Sequence, residues 1–354
     1  MRFGYFTLTD TPPTYGARRR DPNRFLLELM EECLHAEEIG LNSVWLPEHH
    51  FGLFGCLPAP AVFLANLAAR TRRVKLAPAT VLLPCNHPVR VAEEFALLDL
   101  LSNGRVVFSA GRGYDKREYD IFGVPFEESR ERFDEEMEII QKAWTQEAFS
   151  HKGKFWEFDE VTVLPRPVQK PHPPVYVACF SKPTVELAAR LGFHAIFAPF
   201  AAAMMFGGVQ QAAAYHRERA AEAGFKDVRA MCSYFVAVVD DEAQVAETKD
   251  RLLFYLKSIT PALPGDRAKA PPHIAYFVDI VERLLAMKPE QLGERSIITG
   301  TPEQCVESLK KVEAAGIEEV ILYFNFGAYP HKDTMKMMDR FVRDVAPHFA
   351  GAKA

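Results

Sequence analysis

Several classes of function are excluded by what the sequence lacks. No Gly-x-Gly-x-x-Gly follows the first apolar run and no Walker loop occurs in the 354 residues, so neither a Rossmann dinucleotide site nor a P-loop is indicated. Basic clusters are missing: the longest run is Arg18 to Arg20, and 42 Lys and Arg against 47 Asp and Glu leave a net charge of −5, which argues against a nucleic-acid partner. No window reaches the ~18 apolar residues of a membrane span. Met1 to Leu8 enters an alternating apolar pattern without the basic flank and long apolar region of a leader, so a soluble cytoplasmic protein without membrane attachment is expected. The six cysteines (Cys33, Cys56, Cys85, Cys179, Cys232 and Cys305) show neither Cys-x-x-Cys nor zinc spacing; they read as separate buried thiols, and no metal site is expected. There is no internal repeat of fixed period and no low-complexity tract.

What is present is a 48% hydrophobic chain, long enough for one barrel-sized domain or two smaller ones. Short apolar runs alternate with longer helical patterns, the βα rhythm of a parallel sheet wrapped by helices. Eight runs read as strands, which fits a closed barrel: Phe3 to Leu8, Ser43 to Leu46, Val74 to Ala77, Val106 to Ala110, Val175 to Cys179, Ala195 to Ala198, Met231 to Val239 and Glu319 to Phe324. Asp21 and Pro22 start a helix whose Phe25, Leu26, Leu29, Met30, Cys33 and Leu34 share one face and which Gly40 ends. Thr301, Pro302 and Gln304 predict a capping box for the helix before the last strand, with its stop near Gly316. Two stretches break the rhythm. Ser150 to Leu164 is aromatic-rich and reads as a hairpin excursion; Ser258 to Arg295 is too long for an ordinary connection and reads as a mobile lid or equally as a disordered surface excursion.

In a parallel barrel the polar residues just past each strand face the site. After the second strand comes Pro47-Glu48-His49-His50-Phe51, where histidines and a carboxylate suit acid/base work or metal ligation. Adjacent residues on an extended segment point to opposite sides, so His49 and His50 are not expected to share a role. After the fourth strand comes Gly111-Arg112-Gly113. After the fifth, Ser181-Lys182-Pro183-Thr184 opens a helix. Glycines admit close backbone approach, arginine offers a fork of donors, and a helix N-terminus with hydroxyls attracts an anion, so these residues, with Arg130, suggest a phosphate cradle.

The same residues carry a resemblance to the bacterial luciferase family, nearest its catalytic α-type branch and nearly full length. The matching segments are Met1-Arg2-Phe3-Gly4, Val44 through Phe51, Leu83-Pro84 with His87-Pro88-Val89-Arg90, Leu97-Leu98-Asp99, Gly104-Arg105, Arg112-Gly113, Ser129-Arg130, Pro174 to Val177 with Ser181 and Thr184, and Gly300 to Cys305. The resemblance implies an α/β fold, a single (β/α)₈ TIM barrel over residues 1–354 with the 258–295 insertion before the last βα unit. It implies an FMNH2-dependent monooxygenase that adds O2 at the flavin 4a carbon and inserts one oxygen atom into an organic substrate. Arg112, Arg130, Ser181 and Thr184 would hold the FMN phosphate, Phe180 would contact the flavin, and Ala79-Thr80 matches a cis peptide bond beneath the flavin ring. His49 matches the catalytic histidine. His50 matches a dimer-interface residue whose expected acceptor is Glu93 of a second copy. With no dinucleotide fingerprint, reduced FMN would come from a separate NAD(P)H:flavin reductase.

Phe51, Phe200 and Met204 are expected to shield the substrate from water, together with Leu53, Phe54, Phe180 and Met205, which points to a bulky, mostly apolar substrate. Two departures bear on this. Gly111 stands where the family's light-emitting members have a reactive cysteine, and Phe197 to Phe206 has little counterpart, so neither light emission nor a simple aliphatic aldehyde substrate follows. A deazaflavin-dependent oxidoreductase and a non-catalytic flavin-binding partner subunit are the alternatives. His49 and Arg112, which the non-catalytic subunit lacks, favour the enzyme.

Overall fold

The computed structural model describes residues 1–263 and 276–349. Its strands are β1 (Arg2–Phe6), β2 (Ser43–Leu46), β3 (Lys75–Pro78), β4 (Val81–Leu82), β5 (Phe108–Gly111), β6 (Phe149–Lys152), β7 (Glu157–Val161), β8 (Val175–Ala178), β9 (His194–Phe197), β10 (Ala230–Val238), β11 (Ile297–Gly300) and β12 (Glu319–Tyr323). The helices are α1 (Pro22–Glu38), α2 (Pro60–Arg70), α3 (Pro88–Leu101), α4 (Lys116–Phe122), α5 (Ser129–Thr145) and α6 (Lys182–Arg190), then α7 (Pro199–Phe206), α8 (Val209–Glu222), α9 (Glu242–Ser258), α10 (Tyr276–Ala286), α11 (Pro302–Ala314) and α12 (His331–Asp344).

All barrel pairings are parallel, in the order β3-β2-β1-β12-β10-β9-β8-β5-β4. β4 continues the line of β3, and the two ends of the sheet meet where Leu76 bridges Val106 and exchanges 3.0 Å hydrogen bonds with Arg105 and Val107. The result is a TIM barrel. All eight expected strands are present. Two strands escaped the sequence pattern: β4 has only two residues, and β11 adds to the upper half of β10, above the stretch that β12 occupies.

Strand alternation divides the core. On β12, Val320 and Leu322 join the apolar layer beneath the helices, while Ile321 and Tyr323 point into the barrel beside Phe6, Trp45 and Tyr176. Outside, α1 packs against α12 and α2, α2 against α3, and α3 against α5. Asp21 caps α1 by accepting from Arg24 N at 2.9 Å, and Thr301 with Gln304 forms the expected capping box of α11. The 150–164 excursion is the antiparallel hairpin β6-β7. Of the expected lid over 258–295, residues 264–275 lie outside the described residues; the remainder includes α10. Cys56 and Cys85 are half-buried, unlike the other four thiols, because they sit in the loops above the strands. Among the described residues no helix is long and apolar enough to cross a membrane.

Candidate active site

The C-terminal ends of the strands open into a cavity of about 320 Å³. Residues from β1, β2, β5, β8, β9, β10 and β12, or from the loops just beyond them, line it. Barrel geometry produces this convergence, since every parallel strand delivers its following loop to the same face.

The donors of the expected cradle meet at Thr184, which lines the cavity. Ser181 is the N-cap of α6 in extended conformation, and its hydroxyl caps no backbone N–H of the helix. Its Oγ lies 2.9 Å from Thr184 Oγ1, and Arg130 Nη2, from the first turn of α5, donates to both at 3.4 and 3.0 Å. Arg130 Nη1 is buried without a hydrogen-bond acceptor, 3.8 Å from Asp134 Oδ1. Arg112 and Phe180 line the cavity too. The expected cradle is therefore assembled from three elements, with donors outnumbering acceptors beside the positive end of a helix.

The floor carries the Ala79–Thr80 peptide bond, which is cis as expected. Gly111 faces it: a Cβ on Gly111 would stand 2.3 Å from Thr80 Oγ1, so no side chain fits there unless Thr80 moves. That contact explains physically why position 111 holds glycine and not a cysteine.

His49 leaves β2 with its main chain fixed by a 2.9 Å hydrogen bond to Leu57 O and its ring 4.5 Å from that of Phe54. Nε2 is buried without a partner. Burial, and secondarily the charge of His50, pushes its pKa down to about 3, so the imidazole is neutral at physiological pH. His49 as a whole is half-buried and lines the cavity. His50 points elsewhere, with Nε2 3.1 Å from Glu48 Oε1 of the same chain. Glu93, its expected acceptor, lies half-buried on α3.

Three carboxylates also line the cavity: Glu48, which the sequence offers beside the histidines, and Asp115 and Glu118, which sequence reasoning passed over. Glu48 accepts from Leu82 N at 2.9 Å, Asn86 Nδ2 at 3.0 Å and His50. Asp115 caps α4 through Arg117 N at 2.9 Å. Glu118, in the first turn of α4, accepts from His50 N at 2.9 Å; burial drives its pKa up to about 7, with Asp115 and Glu48 adding to the rise and His50 opposing it.

One wall of the cavity is aromatic. Phe54, Tyr114, Tyr255, Phe235 and Tyr323 line it, with Phe54 6.3 Å from both Tyr114 and Tyr255 and Phe235 stacked 5.2 Å from Tyr323. Behind this wall the buried Asp10 accepts from the hydroxyls of Tyr15 and Tyr323 and from Gly327 N, and burial raises its pKa to about 6. Tyr114 comes from the loop after β5, Tyr255 from within α9 and Tyr323 from the end of β12, and no motif marks any of them. Phe54, one of the expected shielding residues, belongs to the wall. Five of the expected shielding residues, Phe51, Leu53, Phe200, Met204 and Met205, do not line the cavity. Phe51 is exposed, its ring 5.5 Å from Phe122, because its positive φ of 58° turns it out of the loop. Phe200 and Met204 are half-buried on α7, which packs on α8, and Ile196 and Ala198 at its base face the cavity instead.

The comparisons agree with this geometry. The family described as luciferase-like monooxygenase matches residues 1–319, and the chain belongs to that family. It is 28% identical over 337 residues to the oxygenase component of flavin-dependent trigonelline monooxygenase from Acinetobacter baylyi, covering 92% of this chain and 90% of that protein. It is 27% identical over 364 residues to an alkanal monooxygenase alpha chain from Photorhabdus luminescens, covering 98% and 97%. An F420-dependent glucose-6-phosphate dehydrogenase from Amycolatopsis mediterranei is 28% identical, covering 90% and 93%. Among solved structures, the monooxygenase RslO1 from Streptomyces bottropensis superposes with a TM-score of 0.81 at 28% identity, covering 99% of this chain and 100% of that one.

Proposed function

We propose that this chain is the oxygenase component of a two-component system, which takes FMNH2 from a separate NAD(P)H:flavin reductase and inserts one atom of O2 into a bulky, mostly apolar organic substrate. The observation that carries the reading is the Arg130–Ser181–Thr184 cluster, which reaches through Thr184 a cavity that also has an aromatic wall. The donor set fits a phosphate monoester: one arginine with a buried, unaccepted N–H, two hydroxyls and a helix N-terminus. Arg130, Arg112, Ser181 and Thr184 hold that phosphate, and Ala79, Thr80 and Phe180 bound the ring system. When bound, reduced flavin supplies the two electrons that O2 activation needs.

The protein contributes shape and dryness. Phe6, Phe54, Tyr255 and Tyr323 exclude water from the reacting region. His49, neutral and unpartnered at Nε2, offers a hydrogen-bond acceptor to a substrate or flavin proton. The aromatic wall favours a flat, ring-containing substrate over an alkyl chain. The second copy of a homodimer would cover α2 and α3, where Val62, Leu97, Leu100 and Leu101 are exposed.

The F420-dependent relative makes deazaflavin chemistry the competing reading. Anaerobic titrations with FMN, riboflavin and F420, followed by O2 uptake with each reduced form, separate the two. The proposal expects FMN to bind at least ~10-fold tighter than riboflavin, through the charge-assisted phosphate contacts, and O2 to be consumed with FMNH2. Tight F420 binding without O2 uptake would replace it.

A further inference from the structure

The geometry points to Glu118 as the residue that delivers a proton to oxygen in this cavity, a catalytic acid additional to His49; the inference rests on the oxygenase reading above. His49 cannot fill that role as a donor of a second proton, since its buried ring is neutral. Of the three cavity carboxylates, Glu48 is tied down by three hydrogen bonds and Asp115 by capping α4. Glu118 is 4% exposed and accepts one hydrogen bond, from the main chain of His50, while its Oε2 lies 3.9 Å from where a Cβ on Gly113 would stand. It thus faces the turn that follows Arg112, on the cavity side, with one oxygen available to a ligand.

Burial first, and then the charges around it, raise the pKa of this carboxyl to about 7. Asp115 and Glu48 repel its charge, Cys85, Tyr114 and Tyr119 face it as uncharged groups, and His50 is the opposing influence. Arg117, its neighbour on α4, is drawn toward Asp115 at 3.8 Å. In the overall reaction FMNH2 and O2 give one oxygen atom to the substrate and one to water, leaving FMN. The proton that Glu118 gives goes to the oxygen atom that leaves as water. The resulting carboxylate regains a proton from solvent, so atoms and electrons balance without a further reductant.

Two measurements on wild type and Glu118→Gln test this. Infrared difference spectra of the flavin-free protein should show a protonated carboxyl band that disappears as pH rises through about 7 and that Glu118→Gln lacks. Stopped-flow mixing of the FMNH2-loaded protein with O2 should show flavin reoxidation slowing across the same pH range in wild type. In Glu118→Gln the rate should be ~10²-fold lower and flat with pH, the size of a lost acid, and Glu118→Asp should restore a pH-dependent limb. No titrating band assigned to Glu118, or an unchanged pH profile in Glu118→Gln, overturns the inference. Failure of wild type to place an atom of labelled O2 in product with FMNH2, the Glu118 band being present, overturns the oxygenase reading instead.

Discussion

At the scale of single residues, the phosphate cradle and His49 make separable predictions. Arg130→Ala removes a charged donor shared by two hydroxyls. It should weaken FMN binding by about 1.5–3 kcal/mol, the usual worth of a charge-assisted hydrogen bond, and leave riboflavin binding nearly unchanged; isothermal titration of both ligands checks this. Arg112→Ala should act in the same direction. His49→Gln should lower product per FMNH2 by ~10²-fold, with hydrogen peroxide rising as product falls. His49 also sets a pH dependence of stability. Its pKa is about 3 in the fold against 6.5 in the open chain, so the unfolded state takes up the proton first. The stabilisation is complete above pH 6.5 and is lost as pH falls toward 3. Between pH 6.5 and about 5 the wild type should lose about 2 kcal/mol more than His49→Gln, at ~1.4 kcal/mol per pH unit. Urea unfolding curves that fall in parallel would remove the buried neutral imidazole from the account.

At the scale of elements, α2 and α3 carry the proposal of a dimer, because Leu97 and Leu101, one turn apart on α3, are 44% and 62% exposed beside Val62 of α2. A buried leucine is worth about 2 kcal/mol, so Leu97→Asp with Leu101→Asp should weaken self-association by roughly 10³-fold. Sedimentation velocity should find a dimer for wild type and a monomer for the double variant; a wild-type monomer would contradict the proposal. Elements also set what the sequence could disclose. Apolar runs bounded by glycine and by helix caps made the eight barrel strands legible, and hydroxyls at the start of α6 made the cradle legible, because both signals are local. β4 was too short to show a period, and β11 emerges from a charged insertion. Glu118 and Tyr255 belong to helices α4 and α9 and reach the cavity only through packing across the barrel mouth. No spacing along the chain encodes that. Phe200 and Met204 misled for the complementary reason: they follow a strand end, yet α7 turns them away from the cavity.

At the scale of the whole molecule, the barrel brings a cluster of anion-type donors and an aromatic wall to one cavity, and that union is the basis for the proposal of an oxygenase. Each feature alone has other uses; together they carry the proposal that a phosphorylated flavin sits against a ring-containing substrate. The most direct measurement supplies FMNH2 and isotopically labelled O2 to the protein with a panel of aromatic and cyclic compounds, and reads the label in the product by mass spectrometry. The account predicts one labelled oxygen atom per product molecule, obtained with FMNH2 and not with reduced F420. Product whose new oxygen comes from water, or substrate oxidised without O2 being consumed, would contradict it.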